Sequence, residues 1–304
     1  MSIISTFEAV PSRLFALYAT LFNNEHGEVK ERIEAWATPP SLSGRTRDDG
    51  SESSTNLFSA TLSEARKIGF VEEIDNKLRL TDEARGGGKK GDDSEAYFLA
   101  YMRDILFDPT RATEAQQTGF MIALSWFLDS NPLHPMNFSE PPQTRVREKI
   151  GDYLPETELT TLSRYQNFLY WARYLGFATI IGGVNEDDLA SRHVIPNPLN
   201  AIESALPLIF SESRDLSIEQ FMTRLAAIFP VFETGSVRKS FEGMLLKPLD
   251  DSDKRLSITT SLALQRLVDR QCLTLTGVAD AASRILDLGL REERVSRVIL
   301  RSAE

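Results

Sequence analysis

The sequence predicts a mainly α fold with short β-hairpins, assembled from small modules in tandem. Two segments more than a hundred positions apart, Leu62 to Phe70 and Leu169 to Phe177, share the frame L-x-x-A-R-x-x-G-F. Each copy closes a helical pattern and leads into a β-rich stretch, the mark of a repeated supersecondary unit. With 304 residues, 41% hydrophobic and 26% charged, the chain is long enough for two or three globular domains of roughly 100 to 200 residues.

In the first module (1–92), apolar Leu14, Phe15, Leu17, Tyr18, Leu21 and Phe22 recur at three- and four-residue spacing behind Pro11. That spacing predicts an amphipathic helix over Pro11 to Phe22. A second helix is expected at Val29 to Trp36, ending before Pro39 and Pro40, because the residue ahead of a proline avoids helical geometry. Polar, Gly-containing Ser41 to Ser54 reads as an extended loop. Thr55 to Ile68 is the third helix, with Gly69 placed to terminate it. Phe70 to Ile74 and Leu78 to Leu80 then flank Asp75-Asn76-Lys77 as a hairpin.

The run Gly86-Gly87-Gly88-Lys89-Lys90-Gly91 lacks the spacing and hydroxyl of a phosphate-binding loop, so it is expected to be a flexible linker closing the first module. The middle module (93–213) predicts helices at Ser94–Phe107, Thr113–Leu128, Thr144–Tyr153 and Thr160–Leu175. A strand follows at Phe177–Ile181, then a turn at Gly182-Gly183, an acidic wing through Glu186-Asp187-Asp188, a return strand near His193–Ile195 and a helix at Leu199–Leu206. The third module (214–304) predicts helices at Ile218–Ile228, Val237–Leu246 and Ile258–Asp269, then a strand at Cys272–Leu275 and a helix at Ala279–Leu286. The tail Glu292–Leu300 puts Val295, Val298 and Ile299 on one helical face. Asp250-Asp251-Ser252-Asp253 lacks the glycine and distal glutamate of an EF-hand loop and reads as a solvated loop.

No run of about 18 apolar residues exists and the first residues lack an export pattern; a soluble, cytoplasmic protein without membrane contact is expected. Cys272 is the only cysteine and, set in an apolar stretch, is expected to be a buried thiol. His26, His134 and His193 sit in no zinc-binding pattern, and neither a nucleophile elbow nor a dinucleotide fingerprint is present. No catalytic residue, metal or cofactor is assigned, and the chain reads as non-catalytic.

Net charge is −10, unfavourable for phosphate binding, but it is unevenly spread. Residues 1–93 carry 12 basic and 16 acidic side chains, 94–213 carry 8 and 15, and 214–304 carry 14 and 13. Only the last third is electrostatically permissive.

Three helices followed by a hairpin is the winged helix-turn-helix order, which the first and third modules, and less fully the second, resemble. The opening Val10-Pro11-Ser12-Arg13-Leu14, followed by this tandem architecture, resembles the DpdG-type proteins found with bacterial 7-deazaguanine DNA modification and restriction. That resemblance implies an accessory subunit of an anti-phage defence system and carries over no catalytic residue.

Winged helices put their third helix in the major groove. The third module offers Thr259, Gln265, Arg266 and Arg270 there, with Lys254 and Arg255 just before it. Arg66 and Lys67 are a thinner group in the first module. In the second, Arg164 and Arg173 stand beside Tyr165, Phe168, Trp171 and Tyr174, whose helical spacing is that of core residues, with base stacking the other reading. The leading expectation is an adaptor joining double-stranded DNA to other protein subunits of a defence or DNA-processing complex. Alternatives are a protein-only scaffold or oligomerisation subunit, and a transcription regulator acting as a homodimer on paired half-sites.

Overall fold

A computed structural model describes residues 2–6, 8–37, 57–183, 191–248, 254–278 and 281–301. It is mainly helical, with small sheets in which all but one strand pair is antiparallel. The chain divides into two compact units, residues 1–106 with 110–117, and residues 107–109 with 118–304.

The first unit holds α1 (Pro11–Phe22), β1 (Glu28–Val29), α2 (Lys30–Ala37), α3 (Leu57–Lys67), β2 (Val71–Ile74), β3 (Lys77–Leu80), the single turn α4 (Asp82–Arg85) and nearly all of α5 (Ser94–Phe107) and α6 (Pro109–Glu114). Its three strands run in the order β1-β3-β2. Phe70 lies at the centre of the core, against Tyr18, Phe98 and Tyr101 at 5.7, 6.0 and 6.4 Å between ring centroids.

The second unit contains the same order once and then a version of it extended by a helix, a strand and a hairpin. α7 (Thr118–Leu128), β4 (Met136–Asn137), α8 (Gln143–Ile150), α9 (Leu162–Tyr174), β5 (Ala178–Ile181) and β6 (His193–Pro196) form a sheet ordered β4-β6-β5. Next, α10 (Leu199–Ile209), β7 (Asp215–Ser217), α11 (Ile218–Ile228), α12 (Ser236–Glu242), β8 (Arg255–Leu256), α13 (Ile258–Asp269), β9 (Leu273–Thr276), β10 (Arg284–Asp287), β11 (Glu292–Val295) and β12 (Arg297–Leu300) complete the chain. Their main sheet is ordered β7-β12-β9. In all three cases the first strand pairs with the last, and the last with the middle one.

The helix-to-strand junction is also threefold. After α3, Phe70 N–H donates to Ala65 O; after α9, Phe177 N–H donates to Ala172 O; after α13, Cys272 N–H donates to Leu267 O. The residue before each is left-handed: Gly69 at φ +82°, Gly176 at +91° and Gln271 at +62°. This is a helix stop in which a left-handed residue lets the next N–H reach back over the last turn. The same three carbonyls then accept from the end of the last strand, Thr81 N–H to Phe70 O, Asn197 N–H to Phe177 O and Arg301 N–H to Cys272 O.

Several expectations are corrected. The glycine run 86–91 lies inside the first unit and does not close it: Gly86 caps α4, and buried Gly88 would place a Cβ 2.5 Å from the Phe22 ring. The helix expected over Thr113–Leu128 breaks at Gln116, which is left-handed, while the buried Gln117 side chain accepts from Ile3 N–H and donates to Ala115 O. The one expected at Val237–Leu246 stops at Glu242. The helices expected at 279–286 and 292–300 are strands where described: Arg284 and Leu286 are buried and alternate with half-buried Ile285 and Asp287, a period of two. By topology the first helix of the last repeat is α10, because β7 follows it. The loop 41–54, the wing tip 186–188 and the whole 250–253 acidic run lie outside the described residues.

Candidate nucleic-acid interface

The residues singled out for DNA contact fall into two groups once their partners are known. α13 begins at the N-cap Ser257, whose hydroxyl accepts from Thr260 N–H. Buried Glu233 sits over this helix start: Ser257 N–H donates to Glu233 Oε1 at 2.8 Å and the Thr260 hydroxyl to Oε2 at 3.0 Å. A carboxylate at a helix N-terminus is favoured by the dipole. Here it fills the place a phosphate would take.

Thr259 is buried and its hydroxyl donates to Ser130 O at 2.9 Å, so it does not face a ligand. Gln265 is half-buried and donates to Asp269 at 3.1 Å. Arg270 lies just past the helix end, bound to Glu203 of α10 at 2.6 Å. Arg255 on β8 pairs with Glu292 at 2.7 Å and Asp287 at 3.4 Å. In the first unit Arg66 pairs with Glu73, and Lys67 with Glu64 at 3.1 Å. Exposed Arg266 and Lys254 are left, neither with an ion pair among the described residues. The arginines expected to act together therefore differ: both are exposed, but Arg270 is tied to α10 and Arg266 has no ion pair among the described residues.

The α13 platform is anchored to the preceding repeat. Arg238 of α12, only 3% exposed, reaches Asp129 at 2.5 Å, Glu242 at 2.8 Å and Ser125 O at 3.3 Å. Burial works to lower its pKa, but Asp129, Glu233 and Glu242 outweigh that, and it is held above the ordinary arginine value. Asp129 also pairs with Lys149. Repeat two, α12 and the start of α13 thus share one charged network, which sequence spacing alone does not reveal. Tyr165, Phe168 and Trp171 are core side chains of α9, which removes them as stacking surfaces. Cys272, expected to be buried, is half-buried with its thiol 3.7 Å from Glu203, and desolvation, then that carboxylate, raises its pKa.

A family model described as DpdG-like matches residues 1–281. The chain belongs to the DpdG-like family. That match links it to the DpdG-type proteins of DNA-modification systems and takes in all of the first two repeats. β12, the central strand of the third sheet, lies beyond the matched segment of this DpdG-like chain. No curated protein and no solved structure matches it. Among the described residues no helix is long and apolar enough to cross a membrane, and no three His, Cys, Asp or Glu side chains gather as a metal site.

Proposed function

We propose that the three repeats are winged helix-turn-helix modules and that the chain is a non-catalytic adaptor of a bacterial DNA-modification or defence assembly, holding duplex DNA against partner subunits. The observation that supports it is the sheet order first-third-second, which occurs three times, within helix, strand, helix, helix, strand, strand in the first two repeats and with α12, β8, β10 and β11 added in the third. Each of the segments 1–92, 93–213 and 214–304 holds one such sheet, and topology adds α10 to the last. The third repeat is the DNA-facing one, because Arg266 and Lys254 are exposed there without acidic partners among the described residues.

The number of unpaired cations sets the expected strength. Two phosphates neutralised by Arg266 and Lys254 correspond to a log–log salt slope of roughly −2, or about a tenfold loss of affinity between ~50 and ~200 mM salt. Fluorescence anisotropy on a random-sequence duplex tests this. Salt-sensitive binding that weakens in Arg266→Ala/Lys254→Ala supports the adaptor, and no binding at ~50 mM salt refutes it.

A protein-only scaffold is favoured by a different observation. On repeat two, the outward sheet positions Thr179, Ile181, His193 and Ile195 carry no Asp, Glu, Lys or Arg, and Ile181 is exposed. Such a surface suits a protein partner or a second copy better than phosphate. Failure of DNA binding with retention of a co-purifying subunit would select this reading.

A further inference from the structure

The third repeat differs from the first in what joins its middle and last strands. In the first, β2 and β3 are joined by Asp75-Asn76; in the third, the hairpin of β10 and β11 lies between β9 and β12. This hairpin folds back along the helices. β10 pairs parallel with β8, Ile285 beside Arg255 and Leu286 beside Leu256, and Ile285 N–H donates to Lys254 O at 2.7 Å. Leu286 is fully buried and anchors it.

The hairpin occupies the starts of two helices. Asp287 N–H donates to the hydroxyl of buried Ser261, in the first turn of α13, at 3.0 Å. Buried Arg284 binds Glu219, in the first turn of α11, through Nε to Oε1 and Nη2 to Oε2, each at 2.8 Å. The carboxylates of Asp287 and Glu292 hold Arg255, just before α13, at 3.4 and 2.7 Å. A helix-turn-helix sets the N-terminal residues of its recognition helix on base edges and the helix before it across the backbone. In this repeat the hairpin stands on the start of both.

We propose that the β10-β11 hairpin is a built-in competitor of duplex DNA, in which Asp287 and Glu292 hold Arg255 in the place of phosphates and a bound duplex displaces them. This rests on the DNA-binding reading and deepens it by naming what limits the affinity. Carboxylate and phosphate bind arginine through the same charge-assisted hydrogen bonds, so one substitutes for the other. The pairs are exchangeable: the Arg255, Asp287 and Glu292 side chains are 37, 25 and 54% exposed, and ion pairs open to water contribute little to stability. Buried Arg284 and Leu286 keep the hairpin attached while its carboxylates change partners. The start of α13 then stays covered, and the repeat holds the backbone without reading bases there.

The test uses the full-length protein and the same random-sequence duplex across a salt series, with circular dichroism to verify folding. Asp287→Asn/Glu292→Gln frees Arg255 and is expected to bind more tightly, with a salt slope steeper by ~0.9 for one added phosphate contact. Its advantage over wild type is then about threefold larger at ~50 than at ~200 mM salt; a gain of this kind is not produced by misfolding. Asp152→Asn/Glu156→Gln, at exposed positions of repeat two, removes the same charge without touching Arg255 and is expected to leave the slope unchanged. Equal slopes in wild type and Asp287→Asn/Glu292→Gln, or a steepening matched by the control, overturn this inference and leave the reading of Arg266 and Lys254 intact. Binding by Asp287→Asn/Glu292→Gln alone supports the inference and overturns those two cations as sufficient contacts. No binding by either protein overturns both.

Discussion

Substitution of the left-handed residue at the three helix-to-strand junctions should have three different outcomes. At Gly69 (φ +82°) an alanine Cβ meets only the Tyr101 hydroxyl, at 3.3 Å, and a side chain end can yield a few tenths of an ångström. The cost is then mainly backbone strain, about 1–3 kcal/mol. At Gly176 (φ +91°) the Cβ would stand 2.9 Å from Ala201 N and 3.2 Å from Asn200 Cβ, in the first turn of α10. Ala201 N–H donates to Gly176 O at 3.2 Å, so the whole helix start must move. Overpacking of this kind adds ~1–3 kcal/mol, for a total of roughly 2–6. Gln271→Gly runs the other way: relief of ~1–2 kcal/mol of left-handed strain, less ~0.5–1 kcal/mol of glycine entropy, gives a net gain between zero and about 1.5 kcal/mol. Urea denaturation reads these separately. Trp126 and Trp171 are buried in the second unit and report Gly176→Ala and Gln271→Gly by fluorescence, while circular dichroism follows Gly69→Ala. Equal costs at Gly69 and Gly176, or destabilisation by Gln271→Gly, would refute the argument that one junction geometry recurs with different surroundings.

Arg238→Ala leaves Asp129 and Glu242 without their shared cation and should cost about 3–5 kcal/mol in the second unit, measured by the same fluorescence-detected unfolding; a loss below ~1 kcal/mol would mean the network is solvated. Tyr18 donates to Ala84 O at 2.6 Å, and burial pushes its phenol up to about 12. Because the folded phenol keeps its proton more firmly than the unfolded one near 10, its contribution is complete below about pH 10 and declines as pH climbs through 12. Tyr18→Phe should therefore cost about 0.5–1.5 kcal/mol at neutral pH, with the gap to wild type closing in alkali; a gap constant from neutral pH to ~12 would count against it. Glu233→Ala removes the carboxylate over the start of α13 and should destabilise that helix by about 1–2 kcal/mol, seen as faster amide exchange at Thr260 and Ser261.

Two of the three repeats were legible because glycine is the cheapest way to stop a helix in the left-handed conformation. Gly69-Phe70 and Gly176-Phe177 advertise both the stop and the aromatic that fills the core behind it. Gln271-Cys272 makes the same backbone turn with residues that carry no such signal, and the third repeat is invisible to the shared frame. Helices with clear apolar spacing, Pro11–Phe22, Ile218–Ile228 and Ile258–Asp269, are found with those bounds. The misread segment 284–300 has short strands whose apolar residues, Val295, Val298 and Ile299, also satisfy a helical spacing. The partners of β12, Asp215 to Ser217 and Leu273 to Thr276, and the β8 partner of β10 lie outside the segment, so only the fold decides between the two.

Charge was legible as composition and not as a surface. Arg270, Arg255, Arg66 and Lys67 all stand on or beside candidate recognition helices, yet each meets an acid: Lys67's is local, on its own helix, whereas Glu73, Glu203, Glu292 and Asp287 come from other elements. An exposed ion pair contributes little to stability, but it removes a cation from the count available to phosphate. For a chain with an overall charge of −10, binding to DNA depends on which arginines the fold leaves unpaired.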